Sequence, residues 1–275
     1  MTKTSALSKF YIALVFIFLY APMAVMTVFS FNGSESTYIM NGMSLQWYQR
    51  LFNDSMTMNA LKNTVILAVI SALISTFLGT MAAVGIYNMK NKYLKSSVMT
   101  VTNIPMMNPE IVTGISMMLL FVFAGLWLNR ANVLGFATIL IAHITFQLPY
   151  VILSILPKLR QTDPRVFEAA QDLGCHPVKA FFKVVLPQIR PGIVSGAIMA
   201  FTLSLDDFII SYFTNGPDFQ TLPIHIFSMT KKRVKPDMYA LSTLIFVAIL
   251  ILLILMNIAQ SNSDKKQRKA KEEDK

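Results

Sequence analysis

Three carboxylates are notable because they lie inside long apolar segments: Glu110, Asp206 and Asp207. An ionisable group at membrane depth is costly, so it usually faces a cavity or has a partner. Carboxylates beside aromatic faces suit an organic ammonium ion, through charge pairing and cation–π attraction. The nearby aromatic residues are Phe201, Phe208 and Tyr212. We expect these six residues to line a pathway for an organic cation; the alternative is structural pairing with basic residues of a neighbouring subunit.

The adjacent aspartates raise a second possibility, an intramembrane aspartyl protease. Such an enzyme needs two aspartates on facing helices that share one proton. Asp206 and Asp207 are neighbours on one predicted helix, where they point about 100° apart. This geometry excludes the protease, and it predicts that only one of the two faces a pore. We therefore expect no catalytic residue, and a chain that is not itself an enzyme.

The composition indicates that the apolar segments which contain these carboxylates cross a membrane. Of the residues, 54% are hydrophobic and 14% are charged, whereas an average soluble domain carries about 25% charged residues. Six segments are long and apolar enough to cross a bilayer as helices. They are Phe10–Phe31, Leu61–Tyr87, Ser97–Trp127, Leu134–Leu156, Gly192–Phe213 and Met238–Ile258. The sequence predicts an all-α membrane protein with these six spans, in one domain covering residues 1–263.

Basic residues predict the orientation of the spans. Most Lys and Arg residues fall on one side, which by the positive-inside rule places both termini in the cytoplasm. The polar stretch at residues 264–275 is then a solvated cytoplasmic tail. The first span follows Lys3 and Lys9 but is longer than a signal-peptide core, which favours an uncleaved anchor. The net charge of +10 matches anionic lipid heads, and no basic patch interleaved with aromatics indicates nucleic acid.

Two further features narrow the function. The single cysteine, Cys175, and the three histidines follow no metal-ligand spacing, so no metal site is expected. Asn108-Pro109 interrupts the third span directly before Glu110, and such breaks are tolerated where a helix lines a cavity. Glu110 and Asp206 are also expected at a similar depth in the membrane.

The segment between the fourth and fifth spans, residues 157–191, is the longest predicted cytoplasmic loop. Asp163-Pro164 predicts the start of a short helix and Gly174 its end. A second short helix is predicted to open at His176-Pro177 and to close at Leu186-Pro187. The first helix carries a narrow apolar stripe with two alanines, formed by Val166, Ala169, Ala170 and Leu173. From these residues alone, the loop either docks a cytoplasmic partner or lies against the membrane face.

A family resemblance favours docking. Glu168-Ala169-Ala170, then Gly174, then Val184 with Leu186-Pro187 resembles the EAA loop of bacterial ABC importer permeases, EAA-x3-G-x9-I-x-L-P, with valine in the isoleucine position. The resemblance implies a type I ABC importer permease fold with a cytoplasmic coupling helix. It also implies that an ATPase subunit is contacted by Glu168, Ala169, Ala170, Gly174, Leu186 and Pro187. The chain has no G-x-x-x-x-G-K-[ST] phosphate loop, so ATP and Mg are expected to act in that partner.

The resemblance extends over most of the chain, to the C-type permease subunit of spermidine/putrescine importers. The segments that carry it are PMMNPEIVTGIS (105–116), AHITFQLPYV (142–151), RVFEAAQDLG (165–174), FTLSLDDFIISYFTNGP (201–217) and LPIHIFSM (222–229). It implies a homologous second permease subunit, two copies of an ATP-binding subunit and an external polyamine-binding protein, assembled in the bacterial plasma membrane.

Two alternative functions remain at this point. One is an ABC importer for another solute, such as ferric iron, thiamine or phosphonate; an anionic cargo would favour basic residues in the pore, and the interior of the spans has none. The other is a stand-alone ion-coupled transporter, which usually shows internal repeats that are not evident here.

Overall fold

The computed structural model describes residues 6–34, 39–129, 132–231, 237–251 and 254, and these residues are nearly all helical. The helices are α1 (Ala6–Phe29), α2 (Gln46–Asn53), α3 (Ser55–Asn88), α4 (Lys92–Met107), α5 (Glu110–Trp127), α6 (Phe136–Gln161), α7 (Pro164–Asp172), α8 (Pro177–Ala180), α9 (Leu186–Asp206), α10 (Ile209–Thr214), α11 (Leu222–Thr230) and α12 (Asp237–Ile251). A π-helical turn, Phe181–Val185, joins α8 to α9. The predicted all-α class is confirmed.

Five helical stretches in these ranges are long and apolar enough to cross a membrane: Leu7–Phe29, Ser55–Asn88, Glu110–Trp127, Phe136–Gln161 and Pro177–Asp206. They correspond to the first five predicted spans. The sixth, Met238–Ile258, begins as α12, but residues 252–253 and 255–258 lie outside the described residues. The tail predicted at residues 264–275 also lies outside them, so the tail and the single-domain assignment stay predictions.

Two of the predicted spans are broken helices. Ser97–Trp127 is divided between α4 and α5 at Asn108-Pro109, as the sequence predicts, because proline forces the preceding residue out of the helical region. Gly192–Phe213 is predicted as one helix, and this is wrong. The α9 helix ends at Asp206, and α10 begins only at Ile209. The two aspartates therefore do not project from one continuous helix.

The described residues divide into two compact units, one made of those up to Asn59 with those from His225 onwards, and the other of those within Ala60–Ile224. In the second unit, α6 packs extensively against α9. The contact depends on glycines one turn apart: a Cβ on Gly192 would lie 3.0 Å from the Ser154 carbonyl oxygen, and one on Gly196 would lie 3.3 Å from the Val151 Cα. Small residues at this spacing let helix backbones approach closely in a membrane.

Helix α6 also packs closely against α3, and Val151 is again the residue in contact. A Cβ on Gly79 would lie 2.6 Å from Val151 Cγ1, so only glycine fits at that crossing. The apolar core between these helices includes the buried residues Ile155, Leu159 and Ile189. Helix α6 is therefore held by close contacts with both α3 and α9.

The first unit contains a polar cluster at the start of α3. The Asp54 carboxylate accepts from the backbone N–H groups of Met56 and Thr57 and from the Thr57 hydroxyl, so it caps the helix. Thr57 Oγ1 also lies 3.0 Å from Nε2 of His225, which is buried on α11. The cluster joins two segments that are distant in sequence.

The cytoplasmic loop predicted from the sequence is largely confirmed in its local structure. Asp163 caps α7 by accepting from the Arg165 N–H at 3.0 Å, and Gly174 adopts φ +82°, a left-handed conformation suited to glycine, just after the helix. The predicted closure at Leu186-Pro187 is wrong, because the chain continues through the π turn into α9. A wider π turn accommodates a proline, which supplies no N–H to the helical ladder.

Candidate functional site

The break between α9 and α10 is held by the side chain of Asp207. Its backbone is extended, with φ −63° and ψ 119°. Its Oδ1 accepts from the Ile210 N–H at 3.3 Å, and its Oδ2 accepts from the Ser211 N–H at 2.7 Å. These are amides of the first turn of α10 that have no partner within the helix. Asp207 is 8% exposed, so its carboxylate serves the fold and is closed to a solute.

His143 on α6 is the second partner of this carboxylate. Its Nε2 lies 3.4 Å from Asp207 Oδ2 and 3.0 Å from the Ser211 hydroxyl oxygen. Its Nδ1 lies 2.7 Å from the Ser204 hydroxyl oxygen. All of these side chains are buried. One imidazole therefore contacts the last turn of α9, the break itself and the first turn of α10.

A chain of buried hydrogen bonds continues from Ser204 to α3. The Ser71 hydroxyl donates to Ser204 at 3.2 Å, and the Gln147 amide donates to Ser71 at 3.0 Å. The Ser75 hydroxyl donates to the Gln147 carbonyl at 2.9 Å. An imidazole that accepts from Ser204 at Nδ1 and donates from Nε2 towards Ser211 and Asp207 completes this pattern. Every donor then points along one path that ends at a carboxylate.

Sequence reasoning missed this network, although it carries a signal. Polar residues recur four positions apart in otherwise apolar helices: Ser71 with Ser75 on α3, and His143 with Gln147 on α6. That spacing puts each pair on one helix face. Polar residues inside a span usually face its interior. The pattern could thus have predicted a buried polar contact, but not which partners meet.

Asp206 lies in the opposite environment from its neighbour. It is the last residue of α9, and it is exposed on the surface of this chain. The C-terminal end of a helix carries unpaired carbonyls and a partial negative charge. A carboxylate at that end increases the local negative potential. The position therefore attracts a cation and disfavours an anion.

Glu110 is brought to the same region by the first helix break. It begins α5 after Pro109 and is exposed. Helix α5 packs closely on α10: a Cβ on Gly114, one turn after Glu110, would lie 3.4 Å from the Ile209 carbonyl oxygen and 3.5 Å from the Ile210 Cα. Glu110 is within electrostatic range of both aspartates. The structure thus brings together the three carboxylates that the sequence singles out, two of them exposed.

Two of the three predicted aromatic residues lie on the segment that follows Asp207. Phe208 lies in the break and contacts Tyr212 on α10, with ring centroids 5.5 Å apart. Tyr212 is 45% exposed. Phe201 lies elsewhere: it lines an apolar groove of about 720 Å³ between α3 and α9, together with Thr76 and Ala197. The structure does not join Phe201 to the carboxylate group, and its predicted role in the pathway stays a prediction.

The exposed surface of α7 forms the other candidate site. Glu168 and Ala169 are exposed, Ala170 is half-buried and Gly174 is exposed. Leu173, at the end of the predicted apolar stripe, is 89% exposed. The base of α7 rests over a cavity of about 230 Å³ that Phe167, Phe181 and others line. The stripe is thus largely exposed. Leu186 and Pro187, which the sequence also assigns to the coupling surface, lie instead in the first turn of α9.

No metal centre competes with these sites within the described ranges. Among the residues there, no three His, Cys, Asp or Glu side chains are grouped so that they could hold a metal ion. The chemistry available at the helix breaks is therefore charge pairing, hydrogen bonding and contact with aromatic faces.

Comparison with known proteins gives concordant matches. Residues 75–269 match the family model described as the binding-protein-dependent transport system inner membrane component. The putrescine transport system permease protein PotI of Escherichia coli is 39% identical over 234 residues, covering 85% of this chain and 83% of that protein. The spermidine/putrescine transport system permease protein PotC of Haemophilus influenzae is 36% identical over 244 residues, covering 89% and 92%.

Among solved structures, a bacterial ABC transporter involved in the import of the acidic polysaccharide alginate matches with a TM-score of 0.71. The match covers 93% of this chain and 92% of that chain at 17% identity. At this identity the likeness concerns the fold alone. It confirms the predicted ABC importer permease fold.

Proposed function

The chain belongs to the family of inner membrane components of binding-protein-dependent transport systems, and from this we propose that it is a permease subunit of an ATP-driven importer of polyamines. In this proposal the chain forms half of the translocation pore, and a homologous second permease subunit forms the other half. An external polyamine-binding protein delivers the solute. Two copies of a cytoplasmic subunit bind and hydrolyse ATP with Mg.

The observation that carries the cargo assignment is the meeting of two helix breaks at exposed carboxylates. Glu110 opens α5 and Asp206 ends α9, while α5 packs directly on α10. Polyamines carry several ammonium groups separated by apolar methylene chains. Separate carboxylates can bind separate ammonium groups through charge-assisted hydrogen bonds. The exposed ring of Tyr212 offers a face for the methylene chain or for cation–π contact.

The relatives support the same cargo class. The two relatives described above, which match over most of their length, are named as putrescine and spermidine/putrescine permeases. The alginate importer shares the fold but is named for an acidic cargo. A pore whose exposed charged groups are carboxylates repels a polyanion, so the fold similarity does not transfer that cargo.

Energy coupling is assigned to the surface of α7. An exposed helix with apolar and small residues, at the end of the long α6 and before the π turn, is suited to packing in a groove of a partner. In the mechanism we propose, ATP binding moves the subunit that holds α7, and the motion passes through the π turn to α9. The pore then alternates between outward and inward openings, and each state binds the solute with a different affinity.

The decisive experiment reconstitutes the complete transporter in lipid vesicles. The binding protein and labelled putrescine are supplied outside the vesicles, and ATP is enclosed inside, on the side that holds the ATPase subunits. We expect unlabelled putrescine and spermidine to compete for uptake, and thiamine or ferric ion not to compete. If another solute abolishes ATP-dependent uptake of labelled putrescine, and unlabelled polyamines do not abolish it, the cargo assignment is overturned. A transporter lacking this chain is the control for background uptake.

A further inference from the structure

We propose that His143 is a positioning residue for transport, which fixes the α9–α10 break and thereby directs the Asp206 carboxylate into the pathway. The inference rests on the proposed function, because one of its two tests measures transport. It assigns a role to a residue whose side chain is fully buried: His143 is 0% exposed.

The contacts of His143 lie on both sides of the break. Ser204 stands before Asp207 on α9 and binds Nδ1, while Ser211 stands after it on α10 and binds Nε2. The Asp207 carboxylate itself lies 3.4 Å from Nε2. A side chain that packed against only one helix could not control the angle between them. His143 joins both helices to α6, which the crossings at Gly79 and Gly192 hold in place.

The break requires such support because it interrupts the helical ladder within an apolar layer. Without water, backbone groups released by a break must find partners in the protein. Asp207 supplies acceptors for the Ile210 and Ser211 amides, but doing so buries a carboxylate. The Nε2–H of His143 stabilises that carboxylate. If the imidazole is removed, the favoured alternative is a continuous helix through Asp207, which satisfies the backbone by itself.

A continuous helix would change the pathway. Asp206 would no longer end a helix, so the free carbonyls beside its carboxylate would be bonded to following amides. The α10 segment would rotate, and it carries Tyr212. Loss of His143 would therefore weaken binding of the cation within the pore, even though no residue that contacts the solute has changed.

The far end of the network sets the orientation of the ring. In the arrangement that links the network, the Ser71 hydroxyl donates to Ser204 rather than to the Ala68 carbonyl oxygen, 3.3 Å away, and the Ser204 proton is directed to Nδ1. Gln147 in turn donates to Ser71. This ordering leaves the proton of His143 on Nε2, the atom nearest to Asp207.

Two isosteric variants separate positioning from mere packing. A glutamine amide can place its nitrogen where Nε2 stands, whereas an asparagine amide reaches only the place of Nδ1. In the complete transporter, we expect His143→Gln to keep the KM for putrescine within about threefold of the unsubstituted transporter, and His143→Asn to raise it by about tenfold or more. Ser154→Ala is the matched control: it removes a hydroxyl on the same helix that donates within α6, to the Tyr150 carbonyl, outside this network, and it should leave KM unchanged.

A second readout is independent of the cargo. Hydrogen exchange of the peptide spanning residues 201–217, measured in the assembled transporter, should change with His143→Asn and remain unchanged with His143→Gln. Equal KM values for both His143 variants, or an exchange change without a KM change, would overturn the positioning role. If the unsubstituted transporter takes up no polyamine, the proposed function fails. The exchange result then decides by itself whether His143 holds the break.

Discussion

Asp206 and Asp207 are adjacent in sequence, yet their side chains lie in opposite environments. Asp206 ends α9 with an exposed carboxylate, whereas Asp207 is buried and accepts hydrogen bonds from Ile210 and Ser211. The separation arises because the helix stops between them. We propose that the pair thereby combines two functions that one carboxylate could not serve, attraction of a cation and stabilisation of the break that exposes it.

Substitution of Asp206 and substitution of Asp207 should consequently impair the transporter in different ways. Asp206→Asn removes an exposed charge, and we expect assembly to be normal while the KM for putrescine rises by about tenfold, the loss typical of one charge-assisted contact. Asp207→Asn leaves His143 without a charged acceptor, so the amount of assembled transporter and its thermal stability should fall. Uptake kinetics and size-exclusion chromatography distinguish the two. A normal KM for Asp206→Asn would remove this residue from the pathway.

Charge reversal on α7 tests the coupling surface. Glu168→Lys should lower ATP-dependent uptake strongly and uncouple ATP hydrolysis from transport, because an exposed acidic position of the docking helix becomes basic. Hydrolysis and uptake are measured on the same vesicles. Asp218→Lys is the matched control, since it makes the same charge change at an exposed position away from α7. Equal coupling in both variants would contradict the assignment of α7.

Two glycines on α3 provide a test of helix packing. A Cβ on Gly79 would lie 2.6 Å from Val151 Cγ1, whereas one on Gly85 meets nothing within 4 Å. Gly79→Ala should therefore destabilise the chain by about 1–3 kcal/mol, the usual cost of overpacking. Gly85→Ala should be neutral or stabilise by about 0.5–1 kcal/mol, because alanine favours the helix. Unfolding in mixed detergent micelles measures both, and similar values would show that the crossing is not tight.

The polar cluster of Asp54, Thr57 and His225 predicts a pH dependence. Burial lowers the pKa of His225 below its ordinary value of 6.5, and the nearby Asp54 charge opposes this only partly. The neutral imidazole is therefore favoured in the folded state. Stability from this group is complete above pH 6.5 and is lost as pH falls below that value towards the lowered pKa.

The same cluster contains a group that acts at lower pH. The hydroxyl of Thr57 and two backbone amides lower the pKa of Asp54 below its ordinary value of 3.8. Its stabilisation is present above pH 3.8 and is lost as pH falls through the lowered pKa. Melting temperatures measured between pH 8 and about pH 5 isolate the histidine effect. His225→Gln should flatten the slope in that interval, and an unchanged slope would assign it to another group.

Much of the architecture follows from the sequence because its physical causes are local. A deficit of charge with long apolar segments requires helices in lipid, and Pro109 must interrupt its span since proline lacks an N–H. Asp163-Pro164 and Gly174 set the ends of α7 through capping and a left-handed turn. Glu110 and Asp206 could also be selected from sequence, because a carboxylate within an apolar span needs a cavity or a partner.

The tertiary structure alone decided which aspartate is exposed. No proline or glycine directly follows Asp206, and the local contribution to the break is the capping of the Ile210 and Ser211 amides by Asp207. The break persists because His143, from α6, meets Asp207 across a distance of 64 positions in the chain. Contacts between residues so far apart depend on how α3, α6 and α9 cross, which is set by the close approach at Gly79 and Gly192. The sequence contains these residues, but only the folded chain brings them together.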